Sequence, residues 1–166
     1  MDYPIVAYMQ SPIGRVEIKA DDNYIQSILL ISGTNDDEQS SFNQNRVIKQ
    51  CIEELSEYFA GVRTKFTIPI KQTGTDFQQQ VWLQLLKIPY GTTISYGELA
   101  KHLGDIKRTR AVGAANGKNK LWIVVPCHRV IGANGSLTGY AGGIDCKRWL
   151  LQHEANFAKH KEGKLF

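Results

Sequence analysis

The 166-residue chain has no unbroken apolar run of the about 18 residues that a bilayer-spanning helix needs, so no transmembrane helix is expected. The opening MDYPIVAYMQ has an acid at position 2 and no basic leader, so no secretory signal is expected and the cytoplasm is the expected compartment. Cysteine is scarce: Cys51, Cys127 and Cys146 are an odd number without framework spacing, which fits free thiols in a reducing compartment. The spacing C-H-x17-C-x6-H through Cys127, His128, Cys146 and His153 matches no familiar zinc pattern, and no metal is expected. The glycine-rich stretch from Gly132 to Gly143 has neither a GxGxxG nor a GK[ST] ending between a strand and a helix, so a nucleotide site is not expected. There is no internal repeat and no low-complexity tract.

What the chain does have is a 42% hydrophobic share, enough for a packed core, and a concentrated basic segment. From Lys101 to Arg129 seven basic residues stand against one acid, Asp105, a charge of +6 in a chain of net +4. Such a segment is either the footprint of a polyanion or a solvated face.

The first third reads as strands. Arg15 to Lys19 alternates, Ser11-Pro12-Ile13-Gly14 before it is a turn, and Tyr24 to Ile31 is a second strand. Gly33 to Asn45 is loop-like. Ile48, Ile52, Leu55 and Phe59 recur at helical spacing, with Gly61 as the stop. Phe66 to Ile70 reads as a short strand, and Lys71 to Asp76 as a linker. The remainder is mostly helical. Phe77, Val81, Trp82, Leu85 and Leu86 line one helix that ends before Pro89. Ser95 and Glu98 have capping-box spacing at the start of the next, which stops at Gly104. A further helix, about Ile106 to Asn116, completes a helix-turn-helix candidate. Its small residues (Ala111, Gly113, Ala114, Ala115) suit close packing on a neighbouring helix or close approach to a nucleic-acid groove, and Arg108, Arg110 and Lys118 alongside favour the groove. The expected class is α+β: residues 1–74 a small sheet-containing support domain, residues 75–166 a mostly helical, winged-helix-like domain built on the helix-turn-helix candidate.

The stretch VVPCHRVIG, residues 124 to 132, raises the chemical question. The apolar run Leu121 to Val125 reads as a buried strand or core segment, and Pro126 ends it. A thiol and an imidazole follow. Cys127 is either a small buried hydrophobe or a nucleophile with His128 near enough to help deprotonate it. A free thiol near pKa 8.5 is about a few per cent thiolate at neutrality, so it needs a base, and the base needs an orienting partner. Adjacent side chains point apart, which favours a bridging water, and Glu154 can orient the imidazole if the last helix folds back. Cys51 reads as core; His102 and His160 read as surface residues.

With RAVGAANGKN before it and GYAGG and KRWLLQHE after it, VVPCHRVIG resembles the methylated-DNA–protein-cysteine methyltransferases, the O-6-alkylguanine-DNA alkyltransferases. The likeness runs from GTDFQQQVW onward, takes in IPYGTTISYGELAKHLG, and reaches back weakly to EYFAG. It implies that Cys127 accepts the alkyl group irreversibly and that His128, through a water, and Glu154 take the thiol proton. It implies that Asn119 holds the active-site turn and that Tyr96 protonates or polarises the leaving guanine and helps turn the nucleotide out. Arg110 is the implied finger that fills the vacated stack. Ala111, Ala114, Ala115, Lys118 and Arg129 are the implied DNA contacts, and Tyr140, Ala141, Gly142 and Val130 the implied wall of the base pocket. The implied partner is duplex DNA carrying alkylated guanine, acted on by a monomer without cofactor. Whether O-4-alkylthymine is accepted depends on pocket volume. Lys120 stands where the family usually has proline. The chain is too short for the extra zinc domain of the family's regulators, so a transcription-activating role is not implied. A lesion-flagging relative would carry tryptophan at position 127. A Cys-His-Glu hydrolase leaves the helix-turn-helix unexplained, and a sequence-specific regulator needs longer side chains than this helix offers.

Overall fold

The computed structural model describes residues 4–31, 45–140 and 142–163. They divide into two compact units, Met1–Gln72 and Thr73–Phe166, and the architecture is α+β.

The first unit is an antiparallel meander, β1 (Ile5–Ser11), β2 (Gly14–Ala20) and β3 (Ile25–Ile31), in the order β1-β2-β3, with one helix, α1 (Arg46–Phe59). The Pro12–Ile13 turn closes the first hairpin, and Gly14, at φ 120°, takes a conformation that favours glycine. Val16, Ile18 and Ala20 alternate inward along β2. Asn45 caps α1, its Oδ1 accepting from the Ile48 amide, and Gly61 at φ 81° follows the helix end. The buried stripe of α1 is Val47, Ile48, Cys51, Leu55 and Tyr58; Ile52 and Phe59, expected on that stripe, are only half-buried. The expected strand Phe66 to Ile70 does not form. Pro69 lacks a ladder donor. The Thr67 amide goes instead to the Glu54 carboxylate at 2.7 Å, leaving a single parallel bridge between Ile70 and Ile25. The expected loop from Gly33 lies, up to residue 44, outside the described residues.

The second unit begins with α2 (Asp76–Leu85), opened by a capping box in which Thr75 and Gln78 satisfy each other's amides. Leu86, expected on its inner face, is exposed. A two-residue strand, β4 (Ile94–Ser95), leads into α3 (Tyr96–His102), whose Ser95 cap accepts from the Glu98 amide at 3.0 Å. A 3-10 turn (Ile106–Arg108) precedes α4 (Thr109–Gly117), so the expected single helix from 106 is split. Helix α4 packs on α2 and α3. After the Cys127 segment comes β5 (Val130–Ile131), which pairs in parallel with β4, Ile94 opposite Val130 and Ser95 opposite Ile131. That pairing sets the start of α3, and so Tyr96, beside residues 127–129. The last helix, α5 (Ile144–Gly163), does fold back onto this turn. Among the described residues no helix is long and apolar enough to cross a membrane.

Candidate active site

Residues 121–125 are buried, as an apolar run should be, but they form no strand. They coil into a tight turn, with Val124 N–H donating to the Trp122 carbonyl at 2.8 Å and Val125 N–H to the Leu121 carbonyl at 2.9 Å. Ile123 sits at φ 73°, a conformation that costs a β-branched residue about 1–3 kcal/mol. Asn119 holds the coil at both ends: its Nδ2 donates to the Val125 carbonyl at 2.9 Å, and its Oδ1 accepts from the Leu121 amide at 3.0 Å. The Trp122 indole N–H closes the frame on the Asn119 carbonyl at 2.9 Å. Lys120, in the usual place of proline, stays exposed, and the side-chain bonds of Asn119 supply the rigidity.

Pro126 then delivers Cys127, His128 and Arg129 in a single 3-10 turn, all three buried. His128 and Glu154 meet at 2.6 Å between Nε2 and Oε2, with the pair wholly shut off from solvent. The Arg129 guanidinium grips the same carboxylate, Nε to Oε1 at 2.8 Å and Nη2 to Oε2 at 3.1 Å, and donates through Nη1 to the Ile88 carbonyl at 2.8 Å. The Gly91 amide adds a fourth donor to Glu154 at 3.2 Å. Gly91 has no substitute here: its φ is 78°, and a Cβ would lie 2.7 Å from the Ala158 Cβ on α5.

Burial alone would raise the Glu154 pKa; its bonds to His128 and the charge of Arg129 outweigh burial and hold the carboxyl far below the usual range. Glu154 is therefore ionised. Burial lowers the His128 pKa, the bond to Glu154 works against that, and the charges of Arg129 and Lys147 add to the lowering, so the resting imidazole is neutral. A carboxylate can only accept, so the single ring proton lies on Nε2. Nδ1 keeps its lone pair, buried and without a hydrogen-bond partner among the described residues. Burial pushes the Cys127 thiol up to about 11, against the pull of the Asn119 side chain, the Lys147 charge and the amides of Cys127 and His128. The fully buried Lys147 donates to the Val130 carbonyl at 2.7 Å and the Thr138 carbonyl at 3.0 Å. Thr138 also accepts from the Tyr96 hydroxyl at 3.1 Å. Tyr140 is buried against Trp122, ring centroids 5.6 Å apart.

The structure thus brings together Cys127, His128, Glu154, Asn119 and, through the β4–β5 pairing, Tyr96. Tyr140 and Val130 are buried nearby in the chain, Gly142 is half-buried, and Ala141 lies outside the described residues. Arg110, Ala111, Ala114 and Lys118 are exposed on α4. Two expectations fail. Ala115 is buried against α2, where its carbonyl accepts from the Trp82 indole at 3.0 Å, so it cannot meet DNA. Arg129 points inward as the counter-ion of Glu154 and leaves the basic face, whose exposed cations are Lys101, Lys107, Arg108, Arg110, Lys118 and Lys120. The residues missed from sequence are Arg129 in that inner role, Lys147, and the amide of Gly91. The partner of each lies far along the chain, and KRWLLQHE, which holds both Lys147 and Glu154, was the one signal available. Among the described residues no three His, Cys, Asp or Glu side chains are placed to hold a metal ion.

A helix-turn-helix edged with cations and a buried Cys-His-Glu constellation beside it are the layout of a DNA alkyltransferase. Two family models agree with that class: the ribonuclease-like domain of 6-O-methylguanine DNA methyltransferase matches residues 5–72, and its DNA binding domain matches residues 76–156. The methylated-DNA–protein-cysteine methyltransferase of Methanosarcina acetivorans is 42% identical over 152 residues, covering 90% of this chain and 97% of the relative. That of Mycobacterium tuberculosis is 43% identical over 151 residues, covering 90% and 92%. The crystal structure of Mycobacterium tuberculosis O6-methylguanine methyltransferase superposes with a TM-score of 0.81 at 40% identity, covering 93% and 94% of the two chains. The Mycobacterium tuberculosis protein in complex with DNA superposes at 0.79 and 42% identity, covering 90% and 92%. The chain belongs to the methylated-DNA–protein-cysteine methyltransferase family.

Proposed function

We propose that this protein repairs DNA by transferring the alkyl group of O-6-alkylguanine in a duplex to its own Cys127. The observation that carries the reading is the chain of contacts Arg129–Glu154–His128, which leaves one buried imidazole lone pair beside a buried thiol. The Cys127 proton passes through a water to His128 Nδ1. The imidazolium that forms is stabilised by ionised Glu154. The thiolate attacks the saturated carbon, the S–C bond forms as the C–O bond breaks, and guanine leaves. The product is a thioether, which water does not readily hydrolyse, so each molecule acts once. No cofactor is required, because the damaged DNA supplies the alkyl group.

Cys127 is only 4% exposed, so a base inside a stacked duplex cannot reach its sulfur. The nucleotide is turned out into a pocket walled by Tyr140, Gly142 and Val130. Arg110 fills the gap in the stack, and exposed Ala111 and Ala114 let α4 approach the minor-groove floor closely. Lys118 and the other exposed cations bind phosphates without regard to sequence. Tyr96 donates to the departing guanine, and Asn119 fixes the turn that presents the sulfur. In this reading residues 75–166 do the chemistry and residues 1–74 support them.

Cys127→Ala is expected to abolish transfer while binding to undamaged duplex stays within about 2-fold, because a thiol adds almost nothing to a phosphate-dominated affinity. Transfer surviving in that variant overturns the assignment. Arg110→Ala is expected to slow repair of duplex by about 10-fold, the scale of unstacking energy lost, and to leave reaction with free alkylguanine base unchanged. Equal slowing of both substrates contradicts the stack-filling role.

A further inference from the structure

The C-terminal end of α4 carries a buried amide that the relay does not use. Asn116 is 3% exposed, and its Nδ2 lies 3.4 Å from the carbonyl oxygen of Cys127. A carbonyl only accepts, which fixes the amide with its NH2 group toward the Cys127 turn. Its Oδ1 has no hydrogen-bond partner among the described residues. A buried acceptor left unanswered costs stability, and an apolar side chain of the same size would fill the space without that cost. The NH2 group has a second N–H to give. Its neighbour is Tyr96. The Tyr96 ring lies against α4 one turn earlier, where a Cβ on Gly113 would sit 3.8 Å from the ring, and Gly113 and Asn116 share a helix face. The Tyr96 hydroxyl gives its own proton to the Thr138 carbonyl at 3.1 Å, so its lone pairs are the side that an N–H can address.

We infer that Asn116 is a positioning residue for the transfer: its amide ties the Cys127 carbonyl to the Tyr96 phenol oxygen and steadies that oxygen as Tyr96 donates to the departing guanine. The inference rests on the role of Tyr96 given under the proposed function. As the base leaves, negative charge gathers on it and is shared with the phenol oxygen that hydrogen-bonds it. An N–H aimed at that oxygen is worth most at that moment, and such contacts tighten only in the reacting complex. The resting groups agree in sign: burial and the nearby Cys127 raise the Tyr96 pKa, while Thr138 and the Asn116 amide oppose them. The three elements that must act together, α3 through Tyr96, α4 through Asn116 and the Cys127 turn, meet at this one side chain.

The test is a double-mutant cycle on the full chain, with single-turnover transfer from duplex O-6-methylguanine as readout. Asn116→Leu is expected to slow transfer about 10-fold, the scale of one hydrogen bond to a partly charged group. Tyr96→Phe is expected to slow it at least as much. In the Tyr96→Phe background, Asn116→Leu is expected to add less than about 2-fold, because the group it serves is gone. Asn116→Ala serves the same cycle where Asn116→Leu folds poorly, and the thermal midpoint of each variant shows which applies. Additive losses, with Tyr96→Phe slow by itself, overturn the role of Asn116 and leave that of Tyr96 standing. Full activity in Tyr96→Phe overturns the reading of Tyr96 and this inference with it.

Discussion

Cys51 and Cys127 are both buried thiols, one in each unit, and their surroundings differ in sign. Cys51 lies on the inner stripe of α1, where burial raises its pKa and the neighbouring Glu54 charge raises it further. Cys127 is equally shut away, but the Asn119 side chain, Lys147 and two backbone amides all pull the other way. Burial raises both thiols; the first setting adds to that rise and the second opposes it. Burial does not separate the two thiols; the sign of what surrounds them does. The same contrast holds for the buried carboxylates. Glu54 binds Thr67 and Gln50 and fastens α1 to the segment after it. Glu154 holds an imidazole whose other nitrogen is left with a lone pair.

Removing the Glu154 charge tests that contrast most severely. Glu154→Gln leaves the Arg129 guanidinium buried without its counter-ion, at a cost of about 3–5 kcal/mol, and slows transfer by about 100-fold because the imidazolium loses its partner. A variant that stays folded and transfers at the parent rate breaks the relay. Acid titration of the same pair gives a milder effect. The folded-state pKa of Glu154 lies below its ordinary value of 4.5. Its contribution to stability is therefore complete above that value and lost as pH falls below it. The thermal midpoint of the parent is expected to fall below pH 4.5, and that of Glu154→Gln to fall less steeply. Parallel curves contradict the ionised carboxylate. The smallest effect is expected from Cys51→Ala, with a stability loss of about 1 kcal/mol and transfer per folded molecule unchanged. Loss of transfer there erases the distinction between the two thiols.

The local parts of this arrangement were legible in the sequence. Ser95 and Glu98 announce the cap that starts α3 at Tyr96, and Pro126 marks the end of the apolar run just before Cys127. Signals of this kind depend on neighbours within a turn or two. Local pattern misleads where a distant partner decides the outcome. The apolar run 121–125 looks like a strand because periodicity reports burial and not shape; Asn119 makes it a coil. Phe66 to Ile70 lost its ladder to a carboxylate on α1. Arg129 belongs by composition to the basic face, and only Glu154, 25 residues later, turns it inward. Ala115 belongs to the small-residue pattern of α4, and only the Trp82 indole shows which side of the helix it occupies. Strand β1 carries only a weak local signal, since its apolar residues do not alternate cleanly.

The central claim is that Cys127, and neither Cys51 nor Cys146, takes the alkyl group. Intact and peptide mass spectrometry after mixing the protein with an equimolar duplex carrying a single O-6-methylguanine tests it directly. The account predicts one added methyl group, carried by the peptide that contains Cys127, and one lesion repaired per protein molecule. A methyl group on another cysteine, continued turnover, or tight binding to the lesion without any gain in mass would contradict it.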